Sequence, residues 1–90
     1  MLTKSFQKNL VTKAQQLKPV VQIGEQGLTQ AVHQEIEAQL LKHELIKIKV
    51  NFNNKEIFSQ ILEALPQVHH AHLVHKIGRV IVLYREREEG

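Results

Sequence analysis

The sequence predicts an α/β domain, a two-layer α+β arrangement in the order α-β-α-β-α-β-β around a four-stranded mixed sheet. Three observations carry this. Residues 45–52 alternate apolar and polar almost without fault, the signature of a half-buried strand. Apolar stripes at steps of three and four recur over residues 3–17, 30–43 and 55–65, as on one face of a helix. These helical stretches separate the strand signals, so strands one, two and three follow crossovers and are expected to be parallel, with strand four antiparallel.

Each element has its own local reason. In the first helix Phe6, Leu10, Ala14 and Leu17 form the stripe, Thr3 or Ser5 can cap the start, and Lys18-Pro19 ends it, because a residue before proline avoids the helical region. Lys4 and Lys8 lie opposite that stripe. Val20–Ile23 is strand one, and it runs into Gly24-Glu25-Gln26-Gly27. Thr29 caps a helix over 30–43 with Val32, Ile36 and Leu40 inward and Glu35 and Glu37 outward; His43-Glu44 closes it without a glycine. In strand two Ile46, Ile48, Val50 and Phe52 point one way, Lys47, Lys49 and Asn51 the other. Asn53-Asn54 offers a turn and a cap for helix three, with Ile57, Phe58, Ile61, Leu62 and Leu65 inward, and Pro66 is expected to stop it. Residues 71–77 and 80–85 form a hairpin around Gly78-Arg79, a pair suited to a two-residue turn. Val80 to Tyr84 is apolar on both faces, which marks a central strand, and helix one is the only spare element to cover the second face. The chain thus reads as one domain over 1–90, with 86–90 a frayed polar tail.

Composition narrows the function classes. Ninety residues support one modest core and no large cavity. Without cysteine there are no disulfides or thiolate metal sites, which suits a reducing, cytoplasmic setting. No run approaches the roughly 18 apolar residues of a membrane span. The net charge of +3 is segregated: residues 1–23 carry four lysines and no acid, whereas 24–45 carry four glutamates against Lys42. Such a distribution suits a protein with one basic face and a polyanionic partner.

The parallel topology brings that charge to one place. The carboxyl ends of strands one, two and three emerge on one sheet edge, where open α/β sheets hold their ligands. That edge gathers the Gly24–Gly27 loop, the Asn51–Lys55 turn and the Lys76-Ile77-Gly78-Arg79 hairpin, so Lys55, Lys76 and Arg79 flank the glycines. Lys18 and Lys47 fall near the opposite end. A G-x-x-G alone is weak: there is no third glycine for a dinucleotide fingerprint and no Lys-Ser/Thr pair for a P-loop, and Glu25 opposes tight binding of a lone phosphate. The expected contact residues are Gly24, Glu25, Gln26, Gly27, Lys49, Lys55, Lys76, Gly78 and Arg79.

Three segments together carry a family resemblance. Ile23-Gly24-Glu25-Gln26-Gly27-Leu28-Thr29, His43-Glu44-Leu45-Ile46-Lys47-Ile48-Lys49 and Ile77-Gly78-Arg79-Val80-Ile81-Val82-Leu83-Tyr84-Arg85 resemble the CRM domain (chloroplast RNA splicing and ribosome maturation), as does the lead Leu17-Lys18-Pro19-Val20. The length resembles the stand-alone bacterial members of the YhbY type. The resemblance implies an RNA-binding domain whose G-x-x-G loop is likened to that of KH domains. It also implies a fold similar to the C-terminal domain of bacterial translation initiation factor three, with sheet order 1-2-4-3. Its bacterial members are associated with precursors of the large ribosomal subunit, which implies precursor rRNA and ribosomal particles as partners. The KH loop joins two helices, whereas this one joins strand to helix and carries Glu25, so the likeness is one of mechanism.

Other chemistries fare less well. His69, His70, His72 and His75 cluster around strand three, but alternation sends His70 and His72 to one face and His69 and His75 to the other. That favours polar strand and loop residues over a metal site, with RNA contacts that strengthen below about pH 6.5. Neither a nucleophile beside a base nor any aspartate is present, so the chain reads as a non-enzyme without cofactor or metal; a His-dependent RNase is the minor alternative. A protein-interaction module acting through the acidic second helix is the other. Phe6, Phe52, Phe58 and Tyr84 all lie on inward-looking patterns. Recognition is therefore expected through RNA shape and backbone, by a monomer, with steep salt dependence.

Overall fold

The computed structural model describes residues 2–87. Its elements run α1 (Lys4–Ala14), β1 (Val21–Ile23), α2 (Gln30–His43), β2 (Leu45–Val50), α3 (Lys55–His69), β3 (His72–Ile77) and β4 (Val80–Tyr84). The sheet order is β1-β2-β4-β3, with β1 and β2 parallel and β4 antiparallel to both its neighbours. The apolar run of β4 is explained by this order, since an internal strand is covered on both faces.

The two faces hold separate apolar clusters. Ile46, Ile48 and Val50 of β2 and Ile81 and Leu83 of β4 pack with Ile36 and Leu40 of α2 and Ile61 and Leu65 of α3. On the other face Leu45, Val74 and Val82 meet Leu10 and Ala14 of α1. Helix α1 is thus the cover for the second face, as its spare stripe predicts. It covers only the lower half: Lys49 and Gln22, paired across β1 and β2, stay exposed. The stripe of α1 is also narrower than the periodicity implies. Leu10 and Ala14 are buried, but Phe6 and Leu17 remain 38% and 39% exposed. The helix ends at Ala14 instead of residue 17, and Gln16 and Leu17 donate to the carbonyls of Lys13 and Ala14 in a tighter turn.

Boundaries elsewhere follow the capping chemistry. Thr29 Oγ1 accepts from Val32 N–H at 3.2 Å and Asn54 Oδ1 from Ile57 N–H at 3.1 Å, fixing the starts of α2 and α3. At the end of α2 Glu44 stands at φ 60, where glycine is usual. Its carbonyl accepts from Arg85 N–H at 2.9 Å and its carboxylate from Arg87 N–H at 2.8 Å, so the chain is tied down as far as Arg87. The remainder of the tail expected over 86–90 lies outside the described residues.

Helix α3 corrects one expectation. Pro66 does not stop it; the helix continues to His69 and is capped by His70 at φ 49, ψ 46. Proline removes the bond to the carbonyl four residues earlier, but Leu65 and His69 extend the Ile61 stripe at steps of four and are buried to 0% and 2% exposure. Burial of that stripe outweighs the local rule. No helix among the described residues is long and apolar enough to cross a membrane.

Candidate nucleic-acid interface

Backbone hydrogen bonds tie the three loops of the sheet edge together. Val50 N–H donates to Arg79 O at 2.9 Å, and Asn51 N–H donates to Ile23 O at 2.9 Å. The hairpin, the end of β2 and the start of the glycine loop are therefore adjacent along one rim. Asn51 Nδ2 adds a bond to Gln22 Oε1 at 2.6 Å.

The glycine loop is a turn closed by Gly27 N–H on Gly24 O at 2.9 Å, with Glu25 and Gln26 exposed at its centre. Gly27 has φ +74 and needs glycine for its conformation. Gly24 does not: its φ is ordinary, and a Cβ there would meet nothing within 4 Å. Among the described residues nothing accepts from the Glu25 and Gln26 N–H groups. Gly78 opens the hairpin turn at φ 58, the left-handed conformation a first-position glycine supplies.

Beside this loop Lys55, Lys76, Gly78 and Arg79 line a shallow groove of about 340 Å³ floored by Phe52, Phe58 and Leu62. The Lys76 ammonium lies 5.7 Å over the Phe58 ring centroid. Four expected contact residues thus meet in one groove, with Gly24, Glu25, Gln26 and Gly27 on the same rim. Lys49 does not join them. It pairs with Val80, in register with Lys47 and Val82, so the pleat puts it on the α1 face of the sheet. Lys18 and Lys47 are remote from this rim, as expected; Lys47 Nζ donates to Leu17 O at 3.2 Å at the other end of β2. The aromatic reading needs correction, because Phe6 is exposed and Phe52 and Phe58 are half-buried at the rim itself.

A second polar constellation was not anticipated. His69 is buried in α3 instead of standing on a strand or loop, and its Nδ1 lies 2.5 Å from Glu37 Oε2. Its Nε2 lies 2.9 Å from His33 Nδ1. Arg85 donates to both Glu37 oxygens, at 3.1 and 2.9 Å, and to His69 O at 2.9 Å. Glu37 is therefore held on its inner side by His69 and Arg85 while remaining half-exposed. Because a carboxylate only accepts, His69 carries its proton on Nδ1, and a neutral His69 then accepts from His33 at Nε2. Arg85 first, and His69 after it, hold the Glu37 carboxyl below its ordinary range against the opposing effect of burial. Partial burial, reinforced by His69, pushes His33 down. The signals for this network were the i, i+4 pair His33/Glu37 and the Ile61–Leu65–His69 spacing, hidden by the proline. No group of three His, Asp or Glu side chains among the described residues could hold a metal ion.

Comparison with known proteins accords with this geometry. A family model described as the CRS1 / YhbY (CRM) domain matches residues 2–85. An RNA-binding protein of Haemophilus influenzae is 44% identical over 87 residues, covering 97% of this chain and 85% of that protein. The probable RNA-binding protein YqeI of Bacillus subtilis is 37% identical over 90 residues, covering 100% and 94%. The solution structure of the hypothetical protein SAV1595 from Staphylococcus aureus superposes with a TM-score of 0.83 at 35% identity, covering 99% of this chain and 93% of that one. The four-stranded order, the glycine turn and the family match lead to one assignment: the chain belongs to the CRS1/YhbY (CRM) domain family.

Proposed function

We propose that this protein is a non-catalytic, monomeric RNA-binding domain that contacts structured rRNA through the glycine-loop edge during assembly of the large ribosomal subunit. The observation that carries the reading is the groove in which Lys55, Lys76 and Arg79 meet on the rim that also presents the Gly24–Gly27 turn. Three cations beside a turn with two N–H groups that have no acceptor among the described residues suit a phosphate backbone better than any neutral ligand. Relatives described as RNA-binding support the ligand class, and the resemblance to bacterial CRM proteins supports the ribosomal setting.

Gly24 adds a second line of support. The fold has no steric need for glycine there, and the absent side chain leaves room for a ligand backbone to come close. The acidic α2 is a poorer contact surface than its composition implies, because Glu37 and Glu44 are engaged with Arg85 and Arg87.

The double variant Lys76→Glu/Arg79→Glu tests the reading. Affinity for large-subunit precursor rRNA should fall on the order of a hundredfold, and the slope of log K against log salt should shrink by about 2. Thermal stability should be unchanged, since both side chains are exposed. Unaltered RNA binding in the folded variant would remove the edge from consideration. Absence of the wild-type protein from precursor large-subunit fractions in gradients would remove the ribosomal assignment.

A further inference from the structure

The groove beside the glycine turn is more than a row of cations. Its floor is aromatic: Phe52 and Phe58 pack against the main apolar cluster yet stay half-exposed. Over the Phe58 ring lies the Lys76 ammonium, 5.7 Å from the centroid. A cation above a solvent-facing ring is a weak partner, held by the ring quadrupole and competed for by water. Lys76 is long and flexible, and among the described residues no carboxylate pairs with it, Lys55 or Arg79. The ring is therefore covered by a group that a flat, uncharged ligand can displace.

Size and polarity narrow that ligand. A groove of about 340 Å³ is at the small end of ligand sites and takes one flat ring system, not a helix. Asn54 spends its Oδ1 on the helix cap at 3.1 Å, which leaves its Nδ2 hydrogens to donate to a base edge. Lys55 and Arg79 stand on the rims, where the phosphates flanking one nucleotide would lie.

We infer that the Phe58 groove receives a single unpaired base of the bound RNA. The edge is then addressed to bulged or looped nucleotides and not to uninterrupted duplex. The inference rests on the RNA-binding reading above and names the feature that reading leaves open. In a duplex every base is held in the stack, so none can reach the ring; an unpaired base can swing out and stack on an aromatic face. As it enters, Lys76 leaves the ring for a phosphate, so the cation lost from Phe58 is regained by the backbone.

The test compares an RNA hairpin bearing one bulged adenosine with the same hairpin lacking it. Wild-type protein should prefer the bulged hairpin by roughly tenfold, and Phe58→Leu, which keeps an apolar side chain on the core, should bind both equally at the duplex level. A second measurement needs no substitution: 2-aminopurine placed at the bulge should brighten on binding as it leaves the stack, and 2-aminopurine within the stem should not. The chain has no tryptophan, so Phe58→Trp gives a single reporter whose emission should be quenched by the bulged hairpin alone. Equal affinity of the wild type for both hairpins, with unchanged 2-aminopurine emission, would overturn the base-pocket inference and leave the RNA-binding edge standing. Failure to bind either hairpin would overturn the edge reading as well.

Discussion

The glycine-loop edge and the Glu37–His69–Arg85 network treat polar groups in opposite ways. In the network the charged groups pair with one another inside the protein: Arg85 reaches both Glu37 oxygens, and His69 uses both ring nitrogens. No buried side-chain nitrogen or oxygen among the described residues lacks a partner. At the edge, among the described residues, Lys55, Lys76 and Arg79 have no carboxylate partner, nothing accepts from the Glu25 and Gln26 N–H groups, and Gly24 leaves space that the fold does not use. Polar groups that satisfy one another stabilise a fold, whereas groups left unsatisfied at a surface are available to a ligand. The two regions are therefore expected to respond to different perturbations.

Removing Glu37 should produce the largest effect on stability. Glu37→Ala leaves His69 buried without its acceptor and Arg85 without its carboxylate. Loss of hydrogen bonds to a charged group would cost about 3 kcal/mol in a closed site, and the half-exposure of Glu37 brings this to about 2 kcal/mol. Chemical denaturation should show this loss, while RNA affinity of the folded variant stays within twofold of wild type. A comparable fall in affinity would mean that the network supports the edge, and the division between the regions would fail.

The same division explains what could be read from the residues alone. Each part of the edge has a local signal at the end of an element: two glycines after Ile23, the Asn53-Asn54 cap before Lys55, and Gly78-Arg79 between two strands. Parallel topology then brings those ends together. The order that makes β4 internal came from the family resemblance, with only the two apolar faces of Val80–Tyr84 to support it from within. The network has only helical spacings as local signals, the His33/Glu37 pair and the Ile61–Leu65–His69 stripe, and neither says that the two helices meet there. Its members come from α2, α3 and the segment after β4, and no turn or strand end joins them. Pro66 masked the helical setting of His69, and an acidic residue on a polar face gives no sign that a distant arginine will cover it. Lys49 shows what alternation leaves open: it fixes the face that Lys49 shares with Lys47, but not that the groove opens on the other one.

The two glycines sharpen the contrast at smaller magnitude. Gly27→Ala puts a side chain at φ +74 and should cost about 1 kcal/mol of stability. Gly24→Ala meets no atom and no strain, so the melting temperature should hold or rise slightly. Affinity should behave inversely: Gly24→Ala should lose about fivefold for RNA, on the order of 1 kcal/mol, because the new methyl occupies the approach path. If Gly24→Ala leaves both stability and affinity unchanged, the glycine turn is not where RNA comes closest, and the cationic groove must carry the contact alone.

Acidification should separate the regions with the smallest effect. His33 is held below its ordinary value of 6.5, chiefly by partial burial, and Glu37 below its ordinary 4.5, chiefly by Arg85. In both cases the unfolded chain binds the proton more readily than the folded one. The stabilisation is therefore complete above the unfolded value and is lost as pH falls through the folded one. His33 governs the window opening downward from about pH 6.5, and Glu37 the one opening from about 4.5. The groups facing His33 explain the direction: His69 at 2.9 Å cannot share the contact if both rings are protonated, because each would then present a donor. Glu37, which favours the charged form of His33, is already committed to Arg85 and His69. A fall in melting temperature of a few degrees between pH 7 and 5 is expected. His33→Gln should flatten that part of the profile and leave the loss below about pH 4.5 in place. The groove at the edge contains neither His33 nor Glu37, so RNA affinity of the folded protein should not decline with it. An identical pH profile in His33→Gln would assign the acid sensitivity elsewhere, and a parallel loss of affinity would join the two regions into one.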